Sequence, residues 1–441
     1  ARVEPRHEIN LHFTGDFHAV TSAVNLLNAL LDNHLHQGNE LGIDPRRIEL
    51  KRAIDMNDRA LRHIVLGLGG KAHGVPREGG FELTVASEVM ALMSLARDFK
   101  DLKRRLGRMR VGFTYEGKPV YAQDLGAVGA MAALLRQAFL PNLVQTAEGN
   151  PAFIHMGPFG NIAHGTNSLR ASLFALGLAD YVVQEAGFAT DLGMEKFMNV
   201  VARAGGLVPE AVVLVATLRA LRYHGGQDAY EMPDPQAVVR GLANLEKHVE
   251  NVELFGFKPV IALNRFPTDA EEEIALVREF ARERGLPFAL SEVYAKGGEG
   301  GLELAEKVLE ALSLPHAYRP LYPLEMPLEA KVETIATRIY GAEGVEWSEE
   351  AKKALKAAKK EGCEALPVVM AKAATSLSDN PRLRGRPKGF RVRVTDLKCR
   401  FGAGFVVVYM GGIETLPGLP KVPQALGIDV DEEGNIRGMD Y

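Results

Sequence analysis

Cysteine is scarce. Cys363 and Cys399 are the two in 441 residues, too few for a disulfide framework or a cysteine-based metal site, and no C-x-x-C spacing occurs. A reducing, cytoplasmic setting is the expectation. Long apolar runs are missing too: the longest, Ala211 to Ala216 and Phe405 to Met410, are strand-sized, so no transmembrane helix is predicted. The opening Ala1-Arg-Val-Glu-Pro-Arg-His7 has neither a signal-peptide core nor an initiating Met. An excess of one charge is also lacking. With 52 basic residues against 56 acidic and a formal charge of −4, neither nucleic acid nor a membrane surface is expected as the main partner. Internal repeats and low-complexity tracts are absent.

What is present is a 46% hydrophobic chain, enough for a sizeable core. From Ala211 a buried strand to Thr217, a helix from Pro235 to Phe255, a strand from Pro259 to Leu263, a helix from Ala270 to Arg284, a strand from Pro287 to Val293 and a helix from Leu302 to Leu312 alternate. Such βα units with continuously apolar strands predict an α/β fold with a mostly parallel sheet, covered on both faces, whose ligand loops sit at the carboxyl ends of the strands. Upstream, helices are predicted over 21–36, 81–102 and 124–139, and a strand over 180–184. The proline-rich stretch from 315 to 328 reads as a linker between a core of residues 1–314 and a smaller α+β region of residues 329–441. In that last region helices are predicted over 329–340 and 349–360 and a strand at Arg391-Val-Arg-Val394.

The most unusual segment is Ile154-His-Met-Gly-Pro-Phe-Gly-Asn-Ile-Ala-His-Gly-Thr-Asn-Ser168, dense in glycine, histidine, asparagine and hydroxyls. Glycine admits close backbone approach and the polar side chains fix hydrogen bonds, so this predicts a site-forming loop between a strand and a helix. His155, Asn161 and His164 are its candidate residues. Asn264-Arg-Phe-Pro-Thr-Asp269 and Ala295-Lys-Gly-Gly-Glu-Gly-Gly301 fall at strand ends. Phe266 and Pro267 either stack on a flat heterocycle or simply pack a strand-end turn, and Tyr294 stands at the equivalent end of the next strand. Lys296 brings positive charge beside them. Asn264 and Asp269 resemble a base-contacting pair with an extra residue between. Arg77 and Glu78, ahead of Gly79-Gly80, serve anion binding or a helix cap. His12 and His18 straddle Thr14-Gly-Asp16, but no histidine spacing matches a zinc helix motif, and no metal ligands are assigned. Gly67-Leu-Gly-Gly-Lys-Ala-His-Gly74 comes nearest to a Walker A loop. It fails because Val65 stands at the first glycine and Ala72 at the magnesium-binding hydroxyl.

Taken together, Ile9-Asn-Leu-His-Phe-Thr-Gly-Asp16, Val75-Pro-Arg-Glu-Gly-Gly-Phe81, Pro141-Asn-Leu-Val-Gln-Thr146, the 154–168 block, Glu185-Ala-Gly-Phe188, Arg265-Phe-Pro-Thr-Asp269 and Pro417-Gly-Leu-Pro-Lys-Val-Pro423 resemble the formate tetrahydrofolate ligase family, from Glu8 to the C-terminus. The resemblance implies a doubly wound sheet of P-loop NTPase type. It implies ligation of formate to tetrahydrofolate, driven by MgATP through formyl phosphate, to give 10-formyltetrahydrofolate. It further implies Mg2+, a monovalent cation (K+ or NH4+) and a cytoplasmic homotetramer. Asp16, His12 and Lys296 are then the catalytic candidates. Phe266, Pro267 and Tyr294 would bind folate. Asn264, Asp269, Leu290, Gly297 and Gly298 would bind nucleotide. Tyr294 stands where the family has Trp, Met156 and Gly160 alter the 154–168 block, and Arg400-Phe401 replaces Ser-Ala. The family's Walker A loop does not occur in these 441 residues, so the expectation is an incomplete, inactive portion. The alternative is a folate- or nucleotide-binding partner subunit without catalysis.

Overall fold

A computed structural model describes residues 3–12 and 15–439. The fold is mixed α/β, with the strands distributed over seven small sheets among the described residues. The predicted βα units form as expected. Strands Val213–Thr217, Val260–Asn264 and Phe288–Ser291 lie side by side and parallel, with Val213 opposite Val260 and Ile261 opposite Phe288. Helices Pro235–Leu254, Glu271–Glu283 and Leu302–Leu312 connect or follow them. Val260, Ile261, Ala262 and Leu263 are all fully buried, so the central strand is covered on both faces, as its unbroken apolar sequence requires. Ile261 and Leu263 pack with Val238, Leu245, Val249, Ile274 and Val277 in one core. Val213 and Val215 of the outer strand are exposed instead.

The C-terminal region holds a four-stranded mixed sheet in the order Gly344–Trp347, Arg391–Arg400, Phe405–Met410, Val368–Ala371. Its alternation splits it between two cores. Val369, Ala371, Phe405 and Val407 face the helices of residues 16–139, while Val368, Met370, Val406 and Val408 face Leu328, Val332 and Ile335. Residues 315–327 have no regular structure but are tightly pinned: the Leu321 amide donates to Asn199 at 2.9 Å and the Tyr322 hydroxyl accepts from the Val368 amide at 3.1 Å.

Three expectations are corrected. The continuous helix over 81–102 is a short strand, Phe81–Leu83, followed by helices Glu88–Leu95 and Phe99–Gly107. Ser87 and Asp98 restart the chain as N-caps, accepting from the Met90 amide at 3.2 Å and the Asp101 amide at 2.8 Å. The strand over 180–184 does not form; Tyr181 and Val183 are exposed and no partner strand lies beside them among the described residues. The cysteines, too few for a framework, nevertheless pair as a disulfide between Cys363 and Cys399.

Candidate active site

The parallel strands align Thr217 with Asn264 and Asn264 with Ser291, so the loops that follow all leave from one edge. Thr217 caps the next helix by accepting from the Ala220 amide at 3.1 Å, and this sets Arg219 with its guanidinium 4.3 Å from the centre of the Phe266 ring. The Phe266 turn is rigid. Its amide donates to the Asp269 carboxylate at 2.8 Å, and the buried Arg222 holds Asp269 at 3.2 Å and Glu273 at 2.9 Å. Asp269 is therefore fully engaged in shaping the turn. Phe266 is half-buried and Pro267 exposed at the tip.

Across the same edge, the Arg265 amide donates to the Ser291 carbonyl at 2.9 Å. Tyr294, in the short helix Val293–Lys296, is 66% exposed. Lys296 pairs with Glu292 at 2.6 Å, which leaves less of its charge for an anion. Gly297 has φ 63°, and Gly298 donates its amide to Glu148 at 2.6 Å. A side chain at Gly297 would run into the Glu148 carboxylate, so glycine there serves a close approach. Leu290 is half-buried in its strand with its amide bonded to Glu303.

Glu148 lies at the tip of the hairpin made by Asn142–Thr146 and Pro151–Ile154. At the hairpin base Asn142 donates to Asp16 at 3.0 Å, and the Met156 amide, at φ 53°, approaches the same carboxylate at 3.4 Å. Asp16 opens helix Asp16–His36 and is buried. One hairpin thus ties Asp16 and the 154–168 loop to the glycine segment after Tyr294. His12 ends helix Arg6–His12 on the surface, its ring centre 6.0 Å from that of His18.

The 154–168 loop does run from a strand to a helix, Leu169–Leu176, capped by Ser168. His155 is buried between the Ser168 hydroxyl at 2.6 Å and the Ala138 carbonyl at 2.8 Å. Burial pushes its pKa down to about 4, so it is a neutral packing element whose Nε2 proton goes to the carbonyl. His164 is fully buried, with neither ring nitrogen hydrogen-bonded among the described residues, and burial with nearby Lys196 and Arg105 brings its pKa to about 3. Gly160 and Gly165 touch: a Cβ on Gly165 would stand 2.8 Å from the Gly160 Cα. Beneath them, buried Lys196 donates to the Gly160 carbonyl at 2.6 Å, Asn161 donates to the Lys372 carbonyl at 2.6 Å, and Lys372 pairs with Asp191 at 2.6 Å. Arg77 and Glu78 are placed elsewhere. Arg77 pairs with Asp32 at 2.8 Å and Glu78 with His63 at 2.9 Å, both on a cleft lined also by the C-terminal sheet.

A family model for formate–tetrahydrofolate ligase matches residues 1–440. The chain belongs to the formate–tetrahydrofolate ligase family. It is 92% identical over all 441 residues to the formate–tetrahydrofolate ligase of Thermus thermophilus, and covers 81% of that protein. It is 52% identical to the enzyme of the same name from Staphylococcus aureus and covers 80% of it. As a member of this family the chain is of the ligase class. Several residues that hold the strand-end loops and the 154–168 loop in place carry no local signal in the sequence: Asn142, Glu148, Arg219, Lys196 and the Asp191–Lys372 pair. Asn142 lay inside a recognised block, but its partner Asp16 is 126 positions away and no local pattern joins them.

No three metal-ligating side chains of the strand-end loops come together among the described residues. Among the described residues, the cluster of three metal-ligating side chains is Glu361, Cys363 and Cys399, at a different place and with both sulfurs in a disulfide. No step is routed through Mg2+ or a monovalent cation. No helix is long and apolar enough to cross a membrane among the described residues.

Proposed function

We propose that the chain binds tetrahydrofolate between Phe266 and Tyr294, with formate and MgATP as co-substrates, in a ligation that gives 10-formyltetrahydrofolate, ADP and phosphate through formyl phosphate. The single observation that carries this reading is the pair of aromatic residues at one edge of adjacent parallel strands, Phe266 braced by Asp269 and Tyr294 open to solvent. A flat pterin gains ~0.5–1.5 kcal/mol per aromatic contact beyond burial. Asp16 and the 154–168 loop, linked by the hairpin through Glu148, form the polar wall against which a formyl group is aligned. The half-buried Leu290 and the glycines at 297 and 298 border the base pocket.

The three parallel strands support a doubly wound sheet of P-loop type as the frame, with residues 1–314 as the ligase core and 329–441 as the smaller region. The family assignment supports a cytoplasmic homotetramer assisted by Mg2+ and by K+ or NH4+. The closest approach to a phosphate loop, Gly67 to Gly74, folds as a turn between short strands Ile64–Leu66 and Arg77–Gly79. It has no following helix to present amides to a phosphate. Calorimetric titration with tetrahydrofolate tests the binding, and ADP release dependent on formate and tetrahydrofolate tests the ligation. Saturable tetrahydrofolate binding is the expected result, and its absence together with absence of turnover contradicts the substrate assignment.

A further inference from the structure

A cleft of about 1100 Å³ opens between strands Ile43–Ile48, Arg77–Gly79 and Arg110–Thr114 on one side and strand Arg391–Arg400 with helix Glu349–Lys360 on the other. Phe266, Tyr294 and the 154–168 loop are not part of its wall. Nine arginines and lysines line it against four carboxylates, a local excess of positive charge in a chain whose formal total is −4. Most of these cations have partners: Arg110 meets Glu49 at 2.7 Å, and Arg400 lies 3.7 Å from Glu88.

Three do not. Among the described residues the side chains of Arg47, Lys51 and Lys360 make no ion pair or hydrogen bond. Arg47 lies instead over the Phe113 ring at 4.5 Å. Lys398 is only loosely paired, 3.8 Å from Asp396. Lys51 is half-buried, and burial, with Lys398 and Arg400 nearby, lowers its pKa against the opposing pull of Glu82 and Glu414. A desolvated ammonium among like charges is costly in the free protein, and an anion bound beside it relieves that cost.

We propose that this cleft is a second ligand site, distinct from the folate crevice, for a small polyphosphate or multiply phosphorylated metabolite, held by Arg47, Lys51, Lys360 and Lys398. The volume slightly exceeds the usual range of small-ligand pockets, which run to about 1,000 Å³, and so admits a ligand of nucleotide size. Ammonium groups on flexible stems converge on tetrahedral phosphate oxygens as point charges, while the disulfide between Cys363 and Cys399 fixes the far wall.

The test is calorimetric titration of the 441-residue chain with inorganic tripolyphosphate, and with citrate as a carboxylate of comparable charge. The proposal predicts saturable one-site binding that weakens with salt and is lost about tenfold or more in Lys51→Gln and, separately, in Lys360→Gln. Lys360→Arg and Phe266→Ala retain it. Lys360 is exposed at the end of its helix, so its variants keep the fold even if Lys51→Gln does not. No saturable binding, equal affinity in wild type and Lys360→Gln, loss with Phe266→Ala, or citrate binding as tightly as tripolyphosphate would each overturn the proposal.

Discussion

The Lys372 ammonium meets the Asp191 carboxylate at 2.6 Å, with both side chains almost fully buried. The pair joins the C-terminal sheet to the segment under the glycine loop, where Lys372 also donates to the Ala373 carbonyl at 3.0 Å. Breaking a buried pair by removing one partner leaves an uncompensated charge. Lys372→Met is expected to lower unfolding free energy by ~3–5 kcal/mol, and the double variant with Asp191→Asn to recover part of it. Urea denaturation of the two variants and wild type checks this; equal stability of Lys372→Met and wild type would contradict it.

His155 and His164 link stability to pH. Their pKa values in the folded protein are about 4 and about 3, below the ordinary histidine value of about 6.5. The unfolded chain takes up protons first as pH falls. Their contribution is therefore intact above about pH 6.5 and is lost progressively down to the folded values. Asp191 has the same sign over a more acidic window: despite burial, Lys372 and His248 hold its pKa below the ordinary carboxylate range. Thermal melts from neutral to acid pH should show the decline, and His164→Phe should flatten it. Melting temperature independent of pH between 6.5 and 4 would count against the two histidines being buried and neutral.

Gly160 and Gly165 are legible in the sequence as loop glycines, and the strand-to-helix setting of residues 154–168 follows from the apolar lead-in and Ser168. Local chemistry carries that much. The βα alternation from Ala211 is equally legible because each strand is apolar up to its last residue. What the sequence does not show is which distant group meets which. Glu148 reaches Gly298 across 150 positions, and Lys372, just past the end of strand Val368–Ala371, reaches Asp191 in a helical turn. The false strand over 180–184 shows the converse: an apolar pattern needs a neighbour to pair with before it becomes a strand.

Gly160→Ala tests the loop directly, since the new Cβ would sit 2.5 Å from the Phe188 ring. The expected outcome is loss of ~1–3 kcal/mol of stability, in the range of overpacked sites, and weakened tetrahydrofolate binding. Asn142→Ala, which removes one side-chain partner of Asp16, should weaken binding with a smaller effect on melting. Unchanged binding in both variants would remove the loop from the site.

The disulfide closes a loop across 36 positions, and such closures contribute ~2–4 kcal/mol. Reductant, or Cys399→Ser, should lower the melting temperature of the oxidised protein to the same extent. Thiol titration that finds two free cysteines in native, unreduced protein would contradict the pairing.

The most direct test of the folate crevice is tetrahydrofolate titration of the wild-type chain beside Phe266→Ala, Tyr294→Ala and Tyr294→Trp, with melting temperature measured in parallel. The crevice predicts saturable binding, weakened about tenfold by each alanine at unchanged melting temperature, and kept or tightened by Tyr294→Trp, which enlarges the stacking face. Equal affinity in wild type and both alanine variants would contradict it.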